Sequence, residues 1–147
     1  METSHKTART RSELSAPMRD IVPELKKEWR ILEYGCGKGS DARFLQEAGF
    51  QVEPYDAYYQ SEMPEGLFDA VTCIYVLNTL YEEEQVEAMA EIDSKLKKGG
   101  WALVAVRRDV KEGHHTRTGT WQCPVYLCEK VLVERSGSYC IYAWRKK

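Results

Sequence analysis

Apolar residues along the chain form short runs that alternate with segments of helical periodicity. Runs rich in β-branched and aromatic residues predict strands over residues 30–34, 50–55, 68–77 and 101–106. Between these runs, apolar residues recur at helical spacing over residues 41–48 and 83–97. The chain therefore reads strand, helix, strand twice over, which predicts a mainly parallel sheet with helices on both faces.

The last part of the chain predicts an antiparallel hairpin. Residues 130–135 and 139–144 are strand-like, and Ser136-Gly137 between them is typical of a tight turn. Residues 107–128 are expected to form a long polar loop, and residues 57–67 are too few for a further strand and a full helix. The predicted fold class is α/β, a Rossmann-like, doubly wound, mainly parallel sheet with a C-terminal antiparallel β-hairpin.

Helix boundaries also carry signals. Ser15 is placed to cap a short helix that has Pro17 in its first turn. Gly49 is placed to end the helix over residues 41–48, and Gly99-Gly100 the helix that precedes them.

The N-terminal segment differs in character from the rest of the chain. Residues 1–14 are polar and basic, with Lys6, Arg9 and Arg11 close together, and we expect them to form a flexible or substrate-facing arm. Residues 15–147 are expected to form a single domain, because 147 residues leave no room for a second domain of ordinary size.

Composition and charge exclude little. The chain is 43% hydrophobic and 30% charged with a net charge of -2, which by itself favours neither nucleic acid nor an anionic membrane. No apolar run approaches membrane-spanning length, and the N-terminus lacks the apolar core of a signal peptide. Five cysteines, an odd number, then predict a cytoplasmic protein with reduced thiols.

The segment ILEYGCGKG, at residues 31–39, is the main candidate for chemistry. Gly35, Gly37 and Gly39 lie between a predicted strand and a predicted helix, where glycine lets a ligand approach the main chain. Ligands in open α/β sheets bind beyond the carboxyl ends of the strands. A plain strand-to-helix turn is the alternative, and the second strand ending in Asp56 counts against it.

Glycine spacing separates two kinds of nucleoside site. A dinucleotide site has G-x-G-x-x-G, but its third glycine would be residue 40, which is Ser40. The observed pattern is G-x-G-x-G, preceded by the acidic Glu33. Asp56 lies roughly 20 residues after the loop, where a carboxylate suits the ribose hydroxyls of either ligand, so it does not decide which ligand binds.

This combination resembles motif I of the class I S-adenosylmethionine (SAM)-dependent methyltransferases. FDAVTCIYVLNTL is similar to the fourth-strand motif of that superfamily, and KKGGWALVAV to its next turn and strand. The resemblance implies SAM as the cofactor. The cofactor-binding residues that it implies are Glu33, Gly35, Gly37, Gly39, Asp56 and Tyr75.

A narrower resemblance is to the methyltransferases associated with DNA phosphorothioation systems. It is carried by KTARTRSELSAPMR, the pair Tyr55-Asp56 followed by Tyr58, YVLNTL and GHHTRTGTWQ. By position it points to the basic arm as a contact for nucleic acid, and to residues 118–122 as part of the acceptor pocket. Members of that group are longer than this chain, so the resemblance names no methyl acceptor.

No motif in the sequence identifies the acceptor. Methyltransferases that act on DNA amino groups carry Asn/Asp-Pro-Pro-aromatic, whereas this chain has Asn78-Thr79-Leu80-Tyr81, which counts against methylation of N6-adenine or N4-cytosine. Methyl transfer requires mainly alignment of the reacting atoms, and a general base only for a protonated acceptor. A missing catalytic motif is therefore weak support for an inactive chain.

Four residues are candidates for a catalytic role. Tyr75 and Asn78 either position the cofactor or acceptor, or serve as a packing aromatic and a helix cap. His114 and His115 are either general bases, since histidine titrates near neutral pH, or solvated loop residues. Together with Cys123 and Cys128 these histidines fit no standard zinc-finger spacing, so no metal site is predicted.

The sequence thus predicts an enzyme that transfers a methyl group from SAM to an unidentified acceptor. A non-catalytic SAM-binding module, or a subunit that requires a partner, stays open because residues 57–67 and the late region leave little substrate-binding structure. A nicotinamide-dependent oxidoreductase is the third hypothesis, and Ser40 argues against it.

Overall fold

A computed structural model describes residues 4–147 of the chain. The α-helices of this range are α1 (Ala16–Ile21), α2 (Ser40–Glu47) and α3 (Glu82–Lys95). Its strands are β1 (Arg30–Tyr34), β2 (Gln51–Tyr55), β3 (Phe68–Ile74), β4 (Leu96–Arg107), β5 (His114–His115), β6 (Trp121–Gln122), β7 (Val131–Arg135) and β8 (Tyr139–Arg145). None of the helices in this range has both the length and the apolar composition needed to cross a bilayer.

Six strands form the central sheet, in the order β2-β1-β3-β4-β8-β7. The first four are mutually parallel, and β8 runs antiparallel to both β4 and β7. Strands β2 and β7 are the two edges of the sheet. The predicted Rossmann-like sheet with a C-terminal hairpin is confirmed, and residues 57–67 add only a bridge between Asp56 and Gln60.

Each face of the sheet carries its own apolar core. Successive residues of β4 alternate between the faces, with Leu103 and Ala105 on one side and Val104 and Val106 on the other. Helix α3 covers the face of Val104 through the buried Ile92, and α1 and α2 cover the opposite face. The prediction of helices on both faces is therefore confirmed.

The predicted ends of the first two helices are confirmed. Ser15 has an extended backbone before α1, its Oγ accepts a hydrogen bond from Met18 N at 3.4 Å, and Pro17 lies in the first turn. Helix α2 ends just before Gly49, whose φ of 96° is left-handed.

Strand β3 ends earlier than the apolar run over residues 68–77 predicts. Beyond Ile74 the prediction is wrong, because Tyr75 has a φ of 59°. A left-handed residue does not continue a strand, and the chain turns instead into a 3-10 helix at Leu77–Thr79.

The prediction that the glycine pair at residues 99–100 ends the preceding helix is wrong. Helix α3 ends at Lys95, and both glycines lie inside β4. A Cβ built on Gly100 would lie 2.9 Å from Lys97 O and 3.0 Å from Asp69 O. Glycine is needed here because the backbones of β3 and β4 approach closely.

The segment over residues 107–128 contains more structure than the predicted polar loop. Strands β5 and β6 pair in an antiparallel ladder that sets His115 opposite Trp121. The predicted C-terminal hairpin is confirmed, with β7 and β8 joined through Ser138 N and Arg135 O, 2.9 Å apart.

Truncation of Leu45 tests the core beneath α2. Leu45 is 1% exposed, so Leu45→Ala should lower the free energy of unfolding by about 2–5 kcal/mol, measured by urea denaturation. Val86→Ala is the control, because Val86 is 66% exposed on α3 and its truncation should change stability by less than about 0.5 kcal/mol. Equal effects of the two substitutions would contradict this description of the core.

Candidate functional site

The glycine loop joins β1 to α2 and is tied to the end of β2. Gly35 N and Cys36 N both donate to Tyr55 O, at 2.8 and 2.9 Å. Gly35, Gly37 and Gly39 have φ of 72°, 56° and 81°, a region that glycine adopts without steric cost. The loop therefore has the backbone shape expected from its glycine spacing.

Gly35 lies where no side chain fits. A Cβ built on this residue would be 2.3 Å from Cγ2 of Val76, which follows the strained Tyr75 after β3. The loops after β1 and β3 are thus packed against each other. The missing side chain of Gly35 is what permits this close packing.

Asp56 links the glycine loop to the turn after β2. Its Oδ2 accepts from Gly37 N at 2.8 Å, and its Oδ1 accepts from the N–H groups of Tyr58 and Tyr59 at 2.9 and 3.0 Å. A carboxylate offers about four acceptor positions. Asp56 therefore organises both turns and keeps one position for a ligand hydroxyl.

Glu33 is a buried carboxyl group at the end of β1. It is 4% exposed, and its Oε2 has no hydrogen-bond partner among residues 4–147. Burial, and then the negative charges of Asp41 and Asp56, raise the pKa of Glu33 well above its usual value, although a hydrogen bond from the Ala42 backbone opposes this. A cationic group beside Glu33 would reverse the effect, because it favours the ionised carboxylate.

Asp41 in the first turn of α2 anchors the N-terminal segment. Its Oδ1 accepts from Ser15 N at 2.8 Å and its Oδ2 from Ser15 Oγ at 2.6 Å. Nearby, Arg11 N donates to Ser40 Oγ at 2.9 Å. The carboxylate of Asp41 is thus engaged within the protein, and the segment before α1 is held beside the glycine loop.

A cavity of about 1130 Å³ opens above the carboxyl ends of β1, β2, β3 and β4. The predicted cofactor residues that line it are Glu33, Gly35, Gly37, Asp56 and Tyr75. Gly39 lies outside this lining, as the N-cap residue that precedes α2. The structure therefore brings together, in one place, most of the residues that the sequence singles out.

The basic arm also belongs to the cavity. Lys6, Arg9 and Arg11 line it, and the arm lies over the mouth, where the His5 ring stacks on the Tyr58 ring with centroids 3.9 Å apart. Residues 1–3 of the arm lie outside the described residues. Residues 4–9 and Arg11 line the cavity, and the prediction of a flexible or substrate-facing arm stays a prediction.

Tyr75 occupies the side of the cavity beyond β3. Its N–H donates to Ala105 O at 2.9 Å, and its ring stands edge-on to the ring of Tyr139 with centroids 6.4 Å apart. Burial, the largest cause, raises the pKa of Tyr75 to about 12. The phenol is therefore neutral at ordinary pH and is available as a hydrogen-bond donor.

Asn78, in the 3-10 helix after β3, is hydrogen-bonded to Gln122 in β6 and to the residue that follows it. Its Nδ2 donates to Gln122 Oε1 at 2.9 Å, and its backbone O accepts from Cys123 N at 2.8 Å. Its Oδ1 is buried without a partner among residues 4–147. The N-cap of α3 is Tyr81, so the alternative that Asn78 caps this helix is wrong.

His114 and His115 lie outside the lining of the cavity. His114 Nδ1 is 3.0 Å from Glu112 O, and His115 Nε2 is 3.3 Å from the hydroxyl of Tyr81. Both histidines are exposed on β5. Within residues 4–147 no three His, Cys, Asp or Glu side chains are grouped to hold a metal ion.

Sequence reasoning missed two side chains that shape the cavity, Tyr34 and Arg107. Tyr34 donates from its hydroxyl to Glu91 Oε1 at 2.7 Å, and its ring lies 5.5 Å from that of Tyr55. Arg107, at the end of β4, is held by Asp109 through hydrogen bonds of 2.7 and 2.5 Å. The sequence signal that could have identified them is their position, because each is the last residue of a parallel strand and ligands bind beyond the carboxyl ends of such strands.

Comparison with protein families identifies the class of this chain. A family profile described as a methyltransferase domain matches residues 6–136, so the chain belongs to this methyltransferase family. A search of curated proteins finds no match to the sequence. Family membership confirms the prediction of an enzyme that carries out SAM-dependent methyl transfer, over the oxidoreductase hypothesis.

Solved structures with the same fold support this assignment. The 1,6-didemethyltoxoflavin-N1-methyltransferase of Burkholderia thailandensis, solved with S-adenosylhomocysteine (SAH), aligns at a TM-score of 0.63 and 16% identity, over 89% of this chain and 78% of that one. A TehB-like SAM-dependent methyltransferase of Corynebacterium glutamicum aligns at 0.62 and 16% identity, over 92% and 89%. Magnesium protoporphyrin IX methyltransferase of Synechocystis, solved with SAM, aligns at 0.56 and 14% identity, over 89% and 76%. At these identities the likeness is one of fold.

Alanine substitutions at two glycines with similar φ angles distinguish the cost of a steric clash from the cost of a left-handed backbone. Gly35→Ala adds a left-handed alanine and a clash with Val76, whereas Gly137→Ala, at φ 73°, meets no atom within 4 Å. We expect losses in unfolding free energy of about 2–5 kcal/mol for Gly35→Ala and about 1–2 kcal/mol for Gly137→Ala, measured by urea denaturation. A smaller loss for Gly35→Ala than for Gly137→Ala would contradict the packing of the two loops.

Proposed function

We propose that the cavity above β1 to β4 binds SAM and that the Tyr75 side of it receives the methyl acceptor. One observation carries this proposal: the Oε2 atom of the buried Glu33 has no hydrogen-bond partner among residues 4–147, and Glu33 lines the same cavity as Gly35 and Gly37 of the glycine loop. The amine of SAM is the kind of cation that such a carboxylate would pair with. The residues present therefore fit the cofactor that the family uses.

The proposed cofactor residues divide by the part of SAM that they suit. The N–H groups at the start of α2 suit the carboxylate of the amino-acid end, because a helix N-terminus favours negative groups. Glu33 suits the amine, and Asp56 has an acceptor position left for a ribose hydroxyl. Tyr34 and Tyr55 offer aromatic faces beside Glu91, which suits a base with an exocyclic amino group.

The chemistry supplied by bound SAM is a methyl group on a sulfonium. A lone pair of the bound acceptor would form the new bond to the methyl carbon, and the electron pair of the broken carbon–sulfur bond would remain on sulfur in SAH. The protein has to align the acceptor and exclude water. Tyr75 and Asn78 are the proposed positioning residues, since both line the cavity beyond β3.

Glu33→Gln tests the cofactor site, with Glu83→Gln as a matched control on the exposed start of α3. The Glu33 substitution should weaken SAM binding by about 10–100-fold, the size of a lost charged hydrogen bond, measured by isothermal titration calorimetry. The control should leave the affinity unchanged. Unaltered affinity in Glu33→Gln would contradict the proposed role of this carboxylate.

The same pair of variants tests the electrostatic cost of Glu33 without ligand. Because the folded pKa of Glu33 is raised, its contribution to stability is fully present below the unfolded pKa and is lost as pH rises through the folded pKa. Glu33→Gln should therefore be more stable than the wild type at alkaline pH and similar to it near pH 4, measured by urea denaturation. A pH profile that is unchanged by the substitution would contradict burial of an unpaired carboxyl group.

A nucleic-acid acceptor, as in the phosphorothioation-associated group, is a second candidate. The observation that favours it is that Lys6, Arg9 and Arg11 all line the cavity. Such an arm would contact phosphates of a single strand reaching the site.

Binding to a single-stranded oligonucleotide tests the second candidate by fluorescence anisotropy. Replacing Lys6, Arg9 and Arg11 with Gln should lower the slope of log affinity against log salt by about 2, since each lost phosphate contact removes about 0.7. The control replaces the exposed Lys98, Lys111 and Lys130, which removes the same charge. An equal decrease in the two variants would argue against a nucleic-acid acceptor held by the arm.

We also propose a cytoplasmic location. All five cysteines are free thiols, and two of them, Cys73 and Cys140, are buried. Reduced cysteines are usual in proteins of reducing compartments.

A further inference from the structure

We propose that the methyl acceptor is a small molecule with an anionic group, a carboxylate or a phosphate, and that Arg11 and Arg107 bind this group beside Tyr75. The inference rests on the proposed function, because it assigns the part of the cavity that SAM leaves open. It is carried by three residues of the cavity lining, Arg11, Arg107 and Tyr75, which supply two guanidinium groups and one phenol.

Tyr75 and Arg107 are brought together by the sheet. Tyr75 follows β3 and donates from its backbone to Ala105 O at 2.9 Å, two residues before Arg107 ends β4. Arg107 in turn pairs across β4 and β8 with Tyr139, whose ring contacts that of Tyr75. The position of both side chains is therefore set by main-chain hydrogen bonds rather than by a mobile loop.

Arg107 can bind an anion in addition to the carboxylate of Asp109. Its Nε and Nη2 donate to the two carboxylate oxygens of Asp109, at 2.7 and 2.5 Å. Its Nη1 makes no hydrogen bond among residues 4–147, and the side chain is 35% exposed. A guanidinium has five N–H donors in a rigid fork. Asp109 thus fixes the orientation of the group and leaves one edge available.

Arg11 supplies the second charge from the arm. Its backbone N–H is tied to Ser40 Oγ at 2.9 Å, while its side chain forms no hydrogen bond or ion pair within the part of the chain that the structure describes. The positive charges of Arg11 and Arg107 both act on the Tyr75 hydroxyl and lower its pKa, against the larger effect of burial. An anion here would meet two cations and a neutral phenol that can donate.

Charge is divided between the two parts of the cavity. The charges that act on Glu33, in the proposed cofactor part, are the carboxylates Asp41 and Asp56. Those that act on Tyr75 include two guanidinium groups and only one carboxylate, Asp109. An acidic part suits the cationic amine and sulfonium of SAM, and a basic part suits an anionic acceptor.

The dimensions favour a small molecule over a polymer. The cavity of about 1130 Å³ is slightly larger than the roughly 300–1,000 Å³ typical of small-molecule sites, which leaves room for a nucleoside cofactor and a compact acceptor together. An arginine whose guanidinium is fixed by Asp109 suits one anion at one place, whereas a nucleic-acid backbone is generally followed by several mobile side chains.

Three related probes test the proposal by calorimetry on the full chain saturated with SAH, at constant ionic strength. Benzoate carries a carboxylate, phenyl phosphate carries a phosphate, and benzamide has the shape of benzoate without its charge. We expect at least one anion to bind at least 10-fold more tightly than benzamide, and the stronger of the two identifies the preferred group. Benzamide that binds as tightly as both anions, or no binding of either anion to a chain that binds SAH, would overturn the proposal.

Variants connect the anion to the two arginines. Arg11→Gln and Arg107→Gln should each weaken the preferred anion by about 10-fold or more, the usual effect of losing a charged hydrogen bond, while the affinity for SAH changes by less than about twofold. Arg117→Gln, an exposed arginine outside the cavity lining, is the control and should change neither. Unchanged anion affinity in both Arg11→Gln and Arg107→Gln would overturn the assignment of the site.

The outcomes separate this inference from the proposed function. A wild-type chain that fails to bind SAM and SAH contradicts the cofactor site itself. A chain that binds SAH normally but prefers a single-stranded oligonucleotide, in competition with both anions, instead replaces the small acceptor with a nucleic acid and overturns the inference alone.

Discussion

The site depends on a set of main-chain hydrogen bonds that close the gap between the ends of β1 and β2. Gly35 N and Cys36 N share Tyr55 O as their acceptor, and Gly37 N donates to the next side chain, Asp56. Because these bonds involve the backbone, they require the glycine conformations and one carboxylate, but few other side chains. These bonds fix the path of the loop between β1 and α2, where Gly35, Cys36, Gly37 and Lys38 line the cavity.

Glu33 shows that the chain accepts an unfavourable interaction at this place. A buried carboxyl group without a partner destabilises the folded state when it ionises, and no neighbouring cation among residues 4–147 compensates Glu33. The surrounding structure offsets this cost through two apolar cores on opposite faces of the sheet. The stable sheet and its cores thus keep the buried carboxyl group of Glu33 in a position where a positively charged ligand can pair with it.

Local patterns in the sequence were sufficient for the fold and for the cofactor part of the site. The glycine loop, Glu33 and Asp56 are close in the chain to the strand ends that position them, so the glycine spacing and the resemblance to motif I of the class I methyltransferases singled them out. Arg107 and the Asn78–Gln122 pair could not be placed in this way, because the residues that they contact lie 30 to 45 positions away in the chain. Asn78 bonds to Gln122, and Arg107 pairs with Tyr139 on β8. The prediction that the glycine pair before Trp101 ends a helix failed for the same reason. The need for glycine at residue 100 comes from the close approach of β3, and not from the preceding helix.

The shortened sheet has a consequence at its β2 edge. Among residues 4–147 only a bridge forms after β2, and this strand borders β1 on one side and has no further strand on the other. An uncovered strand is a template on which a second molecule can add its own strand and begin to aggregate. Pro54 lies in β2, and a proline lacks the amide proton that such an addition requires. The strand that places Asp56 at the site therefore also carries a residue that discourages growth of the sheet from one molecule into the next.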